Sequence, residues 1–289
     1  MLNIEFDYIS DIHLDFWIKS KLNKELKVRK EIEEFITMLL PVKKSNILII
    51  AGDISNSNYI SKMFFEYISK EYKYILFTYG NHDLYLDSKS QANKYNRNSF
   101  NRLNELIKYV NSNFDNIYFL DGNIIEIDNI KFGGCGLWYD LSFNNDLFDN
   151  DSYLNSPLTY YKNRSNDSNC IYGNDYKYLY DKECKKLESI INDSDVMVSH
   201  IVPNGELLKN VSFATYSDGE FDTERDKIMY VFNNDDLINK FNGKVWVYGH
   251  SHNISIDKIN DIDFLRNCVG YPNKNIHYTK PCKILTYKN

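Results

Sequence analysis

The 289-residue chain contains few cysteines, prolines and glycines, the residues that mark disulfide-rich and low-complexity proteins. It has five cysteines, an odd number, and no two of them have C-x-x-C spacing. This pattern indicates neither a disulfide framework nor a zinc knuckle, and it favours a reducing, cytoplasmic location. With only five prolines and twelve glycines, the chain also has no low-complexity tract.

Long apolar segments are missing as well. No run approaches the roughly 20 apolar residues that are needed to span a bilayer. The N-terminal residues lack a basic region followed by an apolar core, because Leu2 to Ile9 leads directly into a polar cluster. We therefore expect a soluble protein without a signal peptide or a membrane partner.

The formal charge of −6 excludes a broad basic field. Tight, non-specific binding to long nucleic acid is therefore disfavoured, although a nucleotide or a short oligonucleotide remains compatible with this charge. The composition is that of a globular protein, with 43% hydrophobic residues. On length alone, one elaborated domain and two domains are equally compatible with the chain.

Periodic apolar residues predict an α/β protein. Short apolar runs, several of them continuous and typical of strands that are buried on both faces, predict strands over residues 4–9, 46–50, 74–77, 117–120, 124–127, 130–132, 196–198 and 244–248. Apolar residues at helical spacing predict helices over residues 22–40, 59–68, 100–110 and 179–191.

Five short polar clusters follow five of these strands, and they contain five of the six histidines. In chain order they are Asp11-Ile12-His13, Gly52-Asp53, Gly80-Asn81-His82-Asp83, Ser199-His200 and Gly249-His250-Ser251-His252. Mixed α/β proteins usually bind ligands on loops that leave the carboxyl ends of strands. We therefore expect these clusters to lie together.

The residue types in the clusters suit metal ions. Histidine and carboxylate ligands with an amide oxygen favour manganese, iron or zinc over Ca²⁺ or Mg²⁺. One ion is too few for so many ligands, whereas two ions about 3.5–4 Å apart that share a carboxylate form a clamp for phosphoryl displacement. Each cluster alone has an ordinary explanation, such as an aspartate cap, a Gly-Asp turn or a structural histidine. Their combination indicates a dinuclear centre.

The series D-x-H, G-D, G-N-H-D, H and G-H-x-H resembles the calcineurin-like metallophosphoesterase family, in the family's order and over most of the chain. The resemblance implies two facing mixed β-sheets flanked by helices, the four-layer αββα fold, in a single domain over residues 1–289. It also implies two divalent metal ions, manganese, iron or zinc, one bound by Asp11, His13, Asp53 and His252 and the other by Asp53, Asn81, His200 and His250.

By the same resemblance, His82 remains unliganded. An imidazole with an unperturbed pKa of about 6.5 can donate a proton to a leaving alkoxide. Two residues are candidates for orienting it. Asp83 is adjacent in sequence, and Asn56 occupies the position where the family's Ser/Thr protein phosphatases have an aspartate. The alternative is that His82 only stabilises a turn.

The implied activity is hydrolysis of a phosphoester, in which a metal-bridging hydroxide attacks phosphorus. The G-N-H-D motif favours phosphodiester, nucleotide-type substrates. After Gly52-Asp53 the family's Ser/Thr protein phosphatases continue to an Asp-Arg pair, whereas this chain continues with Ile54-Ser55-Asn56, which argues against a protein phosphatase. A small-molecule phosphomonoesterase or nucleotide pyrophosphatase is the first alternative. The second, from another class, is a non-catalytic scaffold protein with the same fold; the presence of His82 argues against it.

Residues 141–174 form a polar, Asn- and Tyr-rich segment with weak periodicity, hereafter the insert. A long segment of this kind is typically functional or mobile, and we expect it to act as a lid beside the metals. We expect Tyr139 to stack on a base and Arg164 to meet a phosphate. Tyr153, Tyr160, Tyr161 and Tyr172 could share the stacking role. The alternative is that all five tyrosines only cover a small core of the insert itself.

Two features lie towards the C-terminal end of the sequence, a family-like segment and an isolated histidine. The segment from Leu265 to Pro272 resembles a closing segment found in many bacterial single-domain members of the family. His277 lies outside every motif and is interpreted as a surface or core histidine.

Overall fold

Eleven strands form two β-sheets in the computed structural model, which describes residues 4–149, 152–209, 223–272 and 283–289. The first sheet has the order β11-β1-β2-β3-β4, and the second has the order β5-β6-β7-β8-β10-β9. The strands are β1 Glu5–Ile9, β2 Ile47–Ala51, β3 Tyr74–Thr78, β4 Ile117–Phe119, β5 Asn123–Ile127, β6 Ile130–Gly134, β7 Val196–Val198, β8 Val245–Tyr248, β9 Ile254–Ile259, β10 Ile262–Asn267 and β11 Leu285–Lys288.

The two sheets face each other across one apolar core. Successive side chains of a strand point to opposite faces, so Ile47 and Ile49 of β2 pack between the sheets while Leu48 and Ile50 pack against helices. The second sheet repeats this alternation, with Val245 and Val247 in the core between the sheets. A continuous apolar strand is therefore buried on both faces in each sheet.

Helices cover both outer faces. Those against the first sheet include α2, α3 and α5, and the long α8 lies against β5 and β6 of the second. The α-helices are α1 Leu14–Trp17, α2 Glu25–Leu39, α3 Asn58–Ile68, α4 Lys89–Lys94, α5 Ser99–Asn113, α6 Pro157–Arg164, α7 Asp167–Cys170, α8 Tyr176–Ile190, α9 Thr223–Asp226 and α10 Asp235–Ile238. The expected αββα layers are confirmed.

Parallel strands make up the centre of each sheet. Strands β1 to β4 are parallel in one sheet, and β6, β7, β8 and β10 are parallel in the other. The carboxyl ends of neighbouring parallel strands meet at one edge, so the polar clusters after β1, β2 and β3 lie together, as do those after β7 and β8. A bridge between Ser10 and Cys268 joins the segments that follow β1 and β10.

All eight predicted strands and all four predicted helices correspond to observed elements. The hairpin of β9 and β10 and the edge strand β11 were not predicted. The insert differs from expectation, because it contains the helices α6 and α7 and two 3₁₀ turns. Ser156 caps α6 by accepting a hydrogen bond from the Thr159 amide, and Pro157 begins the helix. Helices of eight and four residues are too short to produce a clear period.

None of the helices in the described ranges combines the length and the apolar composition that crossing a bilayer requires. The cysteines of these ranges are free thiols, namely Cys135, Cys170, Cys184 and Cys268. His277 lies outside the described residues.

Candidate metal centre

The five polar clusters converge on one site, and we call them the motif loops (residues 11–13, 52–53, 80–83, 199–200 and 249–252). Three groups of their side chains each bring potential ligand atoms within 4.8 Å of one another. His13 and Asp53 each belong to two groups, so the groups are continuous. They are Asp11, His13 and His252; His13, Asp53 and His82; and Asp53, His200 and His250.

In the first group, the separations between nitrogen and oxygen atoms match those between ligands of one ion. Nε2 of His13 lies 3.0 Å from Nε2 of His252, and the latter lies 3.4 Å from Oδ1 of Asp11. With metal–ligand bonds of about 2.1 Å, ligand atoms are about 3.0 Å apart in an octahedron and about 3.4 Å apart in a tetrahedron. The group therefore fits one metal ion.

The group of Asp53, His200 and His250, together with the neighbouring Asn81, has the same spacing. Nε2 of His200 lies 3.0 Å from Oδ1 of Asn81 and 3.3 Å from Oδ2 of Asp53. The same Asp53 oxygen lies 3.8 Å from Nε2 of His13 in the first group. Asp53 therefore stands between the two groups, where a bridging carboxylate would stand.

Backbone carbonyls select the ring nitrogen that each of two histidines offers. Nδ1 of His200 lies 2.9 Å from the carbonyl oxygen of Ala51, and Nε2 of His250 lies 3.0 Å from that of Met229. A carbonyl only accepts, so these nitrogens carry the hydrogen. In the neutral rings, the lone pairs are then on Nε2 of His200 and Nδ1 of His250, which is how an outer partner prepares a metal-binding imidazole.

The backbone of the motif loops is strained. Five non-glycine residues have φ between 45° and 71°, a left-handed conformation that costs an L-residue roughly 1–2 kcal/mol. They are Asp11, His13, Asp53, His250 and His252. Strain of this kind persists where the surrounding structure enforces it, and it is concentrated at functional sites. Here the His13 amide donates to the Asp53 carbonyl at 3.1 Å, so the strained loops support one another.

Two glycines allow the close approach of the loops. A Cβ at Gly52, whose φ is 83°, would lie 2.6 Å from Nδ1 of His200. A Cβ at Gly249 would lie 2.6 Å from Oδ2 of Asp11. Any side chain at either position would push the clusters of the two sheets apart.

The electrostatics of the site favour a bound cation. Burial and the positive charge of His200 lower the pKa of His250 to about 3, so its imidazole is neutral and can bind a metal. Burial opposes the charged form of His200 too, but the Asp53 carboxylate outweighs it and raises the pKa of His200 to about 10. The carboxylate therefore attracts positive charge at the place where the two groups meet.

The ring of His82 is oriented by Asn56. Nδ1 of His82 lies 2.8 Å from Oδ1 of Asn56, whose Nδ2 is directed towards Asp87 at 3.4 Å. The amide oxygen accepts, so Nδ1 carries the hydrogen and Nε2 has the lone pair. Nε2 in turn lies 3.1 Å from the hydroxyl of Tyr271.

The proposed orienting role of Asp83 requires correction. Its carboxylate accepts hydrogen bonds from the backbone amides of Gly80 and Asp53, both at 2.9 Å, and of Ile54 at 3.3 Å. These bonds occupy both of its oxygens in shaping two motif loops, and Asn56 contacts the His82 ring instead.

Two further residues of the site were missed by sequence reasoning. Arg102 is buried on α5 and donates to the carbonyl oxygens of Ser55, His82 and Tyr85 at 2.6–2.9 Å. Tyr271 stacks on the His13 ring with centroids 4.2 Å apart. Tyr271 belonged to the recognised closing segment, whereas a single arginine in an amphipathic helix carries no sequence signal of burial.

The two predicted substrate residues, Tyr139 just before the insert and Arg164 within it, contact carboxylates of the protein itself. Tyr139 is fully buried and donates its hydroxyl to Asp167 at 2.5 Å, so it has no exposed face for stacking on a base, and that expectation is corrected. Arg164 is 3.9 Å from the Asp226 carboxylate. Tyr160 also donates to Asp226, and Tyr161 packs against Tyr139.

These contacts favour the alternative in which the tyrosines of the insert cover its own core. Tyr172 differs, because its ring packs outside the insert, against a small cluster that includes Leu86 and Tyr95. The side chain of Tyr153 lies outside the described part of the structure.

Comparison with known proteins agrees with this geometry. A protein of Acanthamoeba polyphaga mimivirus, itself uncharacterized, is 27% identical over 285 residues, which covers 91% of this chain and 90% of that protein. The crystal structure of phosphopantetheinyl hydrolase from Mycobacterium tuberculosis superposes with a TM-score of 0.65 at 17% identity, covering 97% and 95% of the two chains, and shares the fold. Residues 4–253 match the family profile of calcineurin-like phosphoesterases. The chain therefore belongs to the calcineurin-like phosphoesterase family.

Proposed function

We propose that this protein hydrolyses phosphoesters and requires two divalent metal ions. The observation that carries the proposal is the convergence of seven potential ligands beside the ring of His82. Ligand atoms of six of them lie 3.0–3.8 Å from a neighbour, and a ligand atom of His250 lies within 4.8 Å of those of Asp53 and His200. The ligands would be Asp11, His13, Asp53 and His252 for one ion, and Asp53, Asn81, His200 and His250 for the other.

The fit to metal ions is chemical as well as geometric. The ligand set contains two carboxylates, Asp11 and Asp53, which would leave net positive charge around two divalent ions. When bound, such ions stabilise the charge on the phosphoryl oxygens and lower the pKa of coordinated water towards about 7. Manganese, iron and zinc suit this donor set best.

His82 would deliver the proton to the leaving group. Burial and the neighbouring imidazoles, chiefly His252, lower the pKa of His82, so its ring is neutral without substrate. The negative charge of a bound phosphoester would favour protonation of Nε2, while Asn56 retains the hydrogen on Nδ1. The Tyr271 hydroxyl would guide the ring because it contacts the same nitrogen.

Phosphodiesters of the nucleotide type are the proposed substrates. The support is the G-N-H-D motif and the use of Asn56, where protein phosphatases have an aspartate, as the partner of His82. The name of the structural neighbour adds a phosphopantetheinyl ester to the compounds worth testing. Phosphomonoesters and nucleotide pyrophosphates are the competing substrates.

A reconstitution experiment tests the proposal. The protein is stripped of metal with a chelator and then loaded separately with Mn²⁺, Fe²⁺ or Zn²⁺, and bound metal is measured by mass spectrometry. Each form is assayed on bis-p-nitrophenyl phosphate, p-nitrophenyl phosphate, cyclic and linear nucleotides and a phosphopantetheinyl ester. We expect two ions per chain and faster hydrolysis of diesters than of monoesters.

The outcomes separate the alternatives. Two bound ions without turnover of any phosphoester would contradict the enzymatic function and favour a scaffold. Turnover of monoesters or pyrophosphates but not of diesters would support a phosphoester hydrolase and contradict the proposed preference for diesters. The chelated protein is the control in every assay.

A further inference from the structure

The amide of Asn81 is held from both sides. Its Oδ1 is 3.0 Å from Nε2 of His200 inside the candidate metal centre. On the opposite side, its Nδ2 donates to Oδ1 of Asp167 at 2.8 Å and lies 3.1 Å from the Tyr85 hydroxyl. The insert, which contains Asp167, therefore touches a proposed metal ligand directly.

Asp167 is a buried carboxylate surrounded by donors. Only 3% of the residue is exposed. Its Oδ1 accepts from the Tyr85 hydroxyl and its Oδ2 from the Tyr139 hydroxyl, each at 2.5 Å. Together with the Asn81 amide, these three neutral donors take the place of water, which explains how the charge is accommodated inside the protein.

The chemistry of Asp167 determines the direction in which Asn81 points. An ionised carboxylate accepts hydrogen bonds and donates none, so the side of the Asn81 amide that faces it must be the NH₂ group. The amide oxygen must then face His200 and the space between the ligand atoms. With the amide rotated by half a turn, the NH₂ group would face a metal ion and would have no lone pair to offer.

Two backbone hydrogen bonds attach the insert to the rest of the protein close to the contact between Asp167 and Asn81. The Leu86 amide donates to the carbonyl of Cys170 at 2.8 Å, and the Ser99 amide donates to that of Tyr172 at 3.0 Å. Leu86 lies just beyond the motif loop that carries Asn81, and Ser99 begins α5. These backbone hydrogen bonds join the segment just after Asp167 to Leu86 and Ser99.

We propose that Asp167 is a positioning residue of the metal centre, which orients the Asn81 amide so that its oxygen binds the second ion. This inference rests on the proposed function, because it assumes that Asn81 is a ligand. It also assigns the insert a role in metal affinity in place of direct contact with substrate. Loss of such an outer partner typically lowers metal affinity 10–100-fold.

The test is a Mn²⁺ titration of the full chain. Calorimetry measures the affinity of each ion, and electron paramagnetic resonance distinguishes one bound ion from a coupled pair. For Asp167→Ala we expect the first ion to bind as in the wild-type protein and the second to bind about 10–100-fold more weakly. Asp146→Ala removes an exposed carboxylate from the same insert and should leave both affinities unchanged.

Two further variants make the test specific. Asp167→Asn keeps one acceptor oxygen and should restore part of the affinity for the second ion, which also covers the case in which Asp167→Ala does not fold. In the Asn81→Ala background, Asp167→Ala should cause no additional loss, because the amide that it orients is absent. Melting temperatures in chelator report any general destabilisation.

The inference would be overturned if Asp167→Ala bound the second ion with an affinity within twofold of wild type. It would also be overturned if Asp167→Ala weakened metal binding in the Asn81→Ala background as much as it does in the wild-type background. A wild-type chain that binds no second ion would overturn both the inference and the proposed function. A wild-type chain that binds two ions without hydrolysing any phosphoester would overturn the proposed function alone, because affinity is the quantity measured here.

Discussion

The motif loops and the insert border the same site but are built differently. Each motif loop follows a buried parallel strand, and the strand order brings residues as distant as Asp11 and His250 into contact, with the His250 amide donating to Asp11 at 3.0 Å. No strand lies in the described residues of the insert, and Asp167 connects the insert to a proposed ligand by accepting a hydrogen bond from Asn81. Strands therefore position the reactive groups, while the insert reaches them through the buried carboxylate of Asp167.

The largest expected effect concerns the shared carboxylate of the motif loops. Asp53→Ala removes the oxygen that lies near both His13 and His200, so both proposed ions lose a ligand. We expect bound metal to fall from two ions towards none and hydrolysis to fall by more than about 10⁴-fold, beyond the range of a lost acid catalyst. Metal content after dialysis and initial rates are the measurements.

Asp146→Ala is the matched control for this comparison, because it removes a carboxylate from the insert. A preparation of Asp53→Ala that kept two ions and a substantial rate would break the contrast between the two regions.

The second prediction separates proton transfer from metal binding within the motif loops. His82→Ala should retain both ions and lose about 10²–10⁴-fold in kcat, with the greater loss for poor leaving groups, which depend most on a proton donor. Rates on diesters with leaving groups of graded pKa provide the measurement. An equal loss across the series would remove the acid role from His82.

The smallest effect is expected on the exposed side of the insert. The guanidinium of Arg164 lies 3.9 Å from the buried carboxylate of Asp226, which is outside the motif loops. Arg164→Ala should therefore change kcat/KM for a diester by less than about threefold and leave metal affinity intact. A decrease in kcat/KM above tenfold, caused mainly by a higher KM, would contradict this expectation. It would support the predicted contact between Arg164 and a phosphate of the substrate.

Prediction of the fold succeeded where the hydrophobic pattern was long enough to be read. Helices such as α2, α3, α5 and α8 showed the expected periodicity, and continuous apolar runs marked the buried strands. The short helices of the insert and the hairpin of β9 and β10 did not stand out, because four to eight residues or a half-exposed strand give only a weak pattern.

The residues predicted from motifs lie together in the structure, whereas the residues that support them were not predicted. Asp11 and His13 are separated by one residue, so a single turn places both. Asp167 and Arg102, by contrast, have neighbours that are distant in sequence, and nothing local distinguishes them from other charged residues. Asp83 shows the same limit within a motif, since its direction depends on which backbone amides the neighbouring loop presents.

The amino-acid sequence by itself determined the family, the order of the strands along the chain and the residue types available for metal binding, because these are encoded in local pattern and spacing. Tertiary structure alone decided how the residues are oriented. The left-handed turns, the carbonyls that select the ring nitrogens of His200 and His250, and the carboxylate that turns the Asn81 amide all arise from segments that meet only after folding.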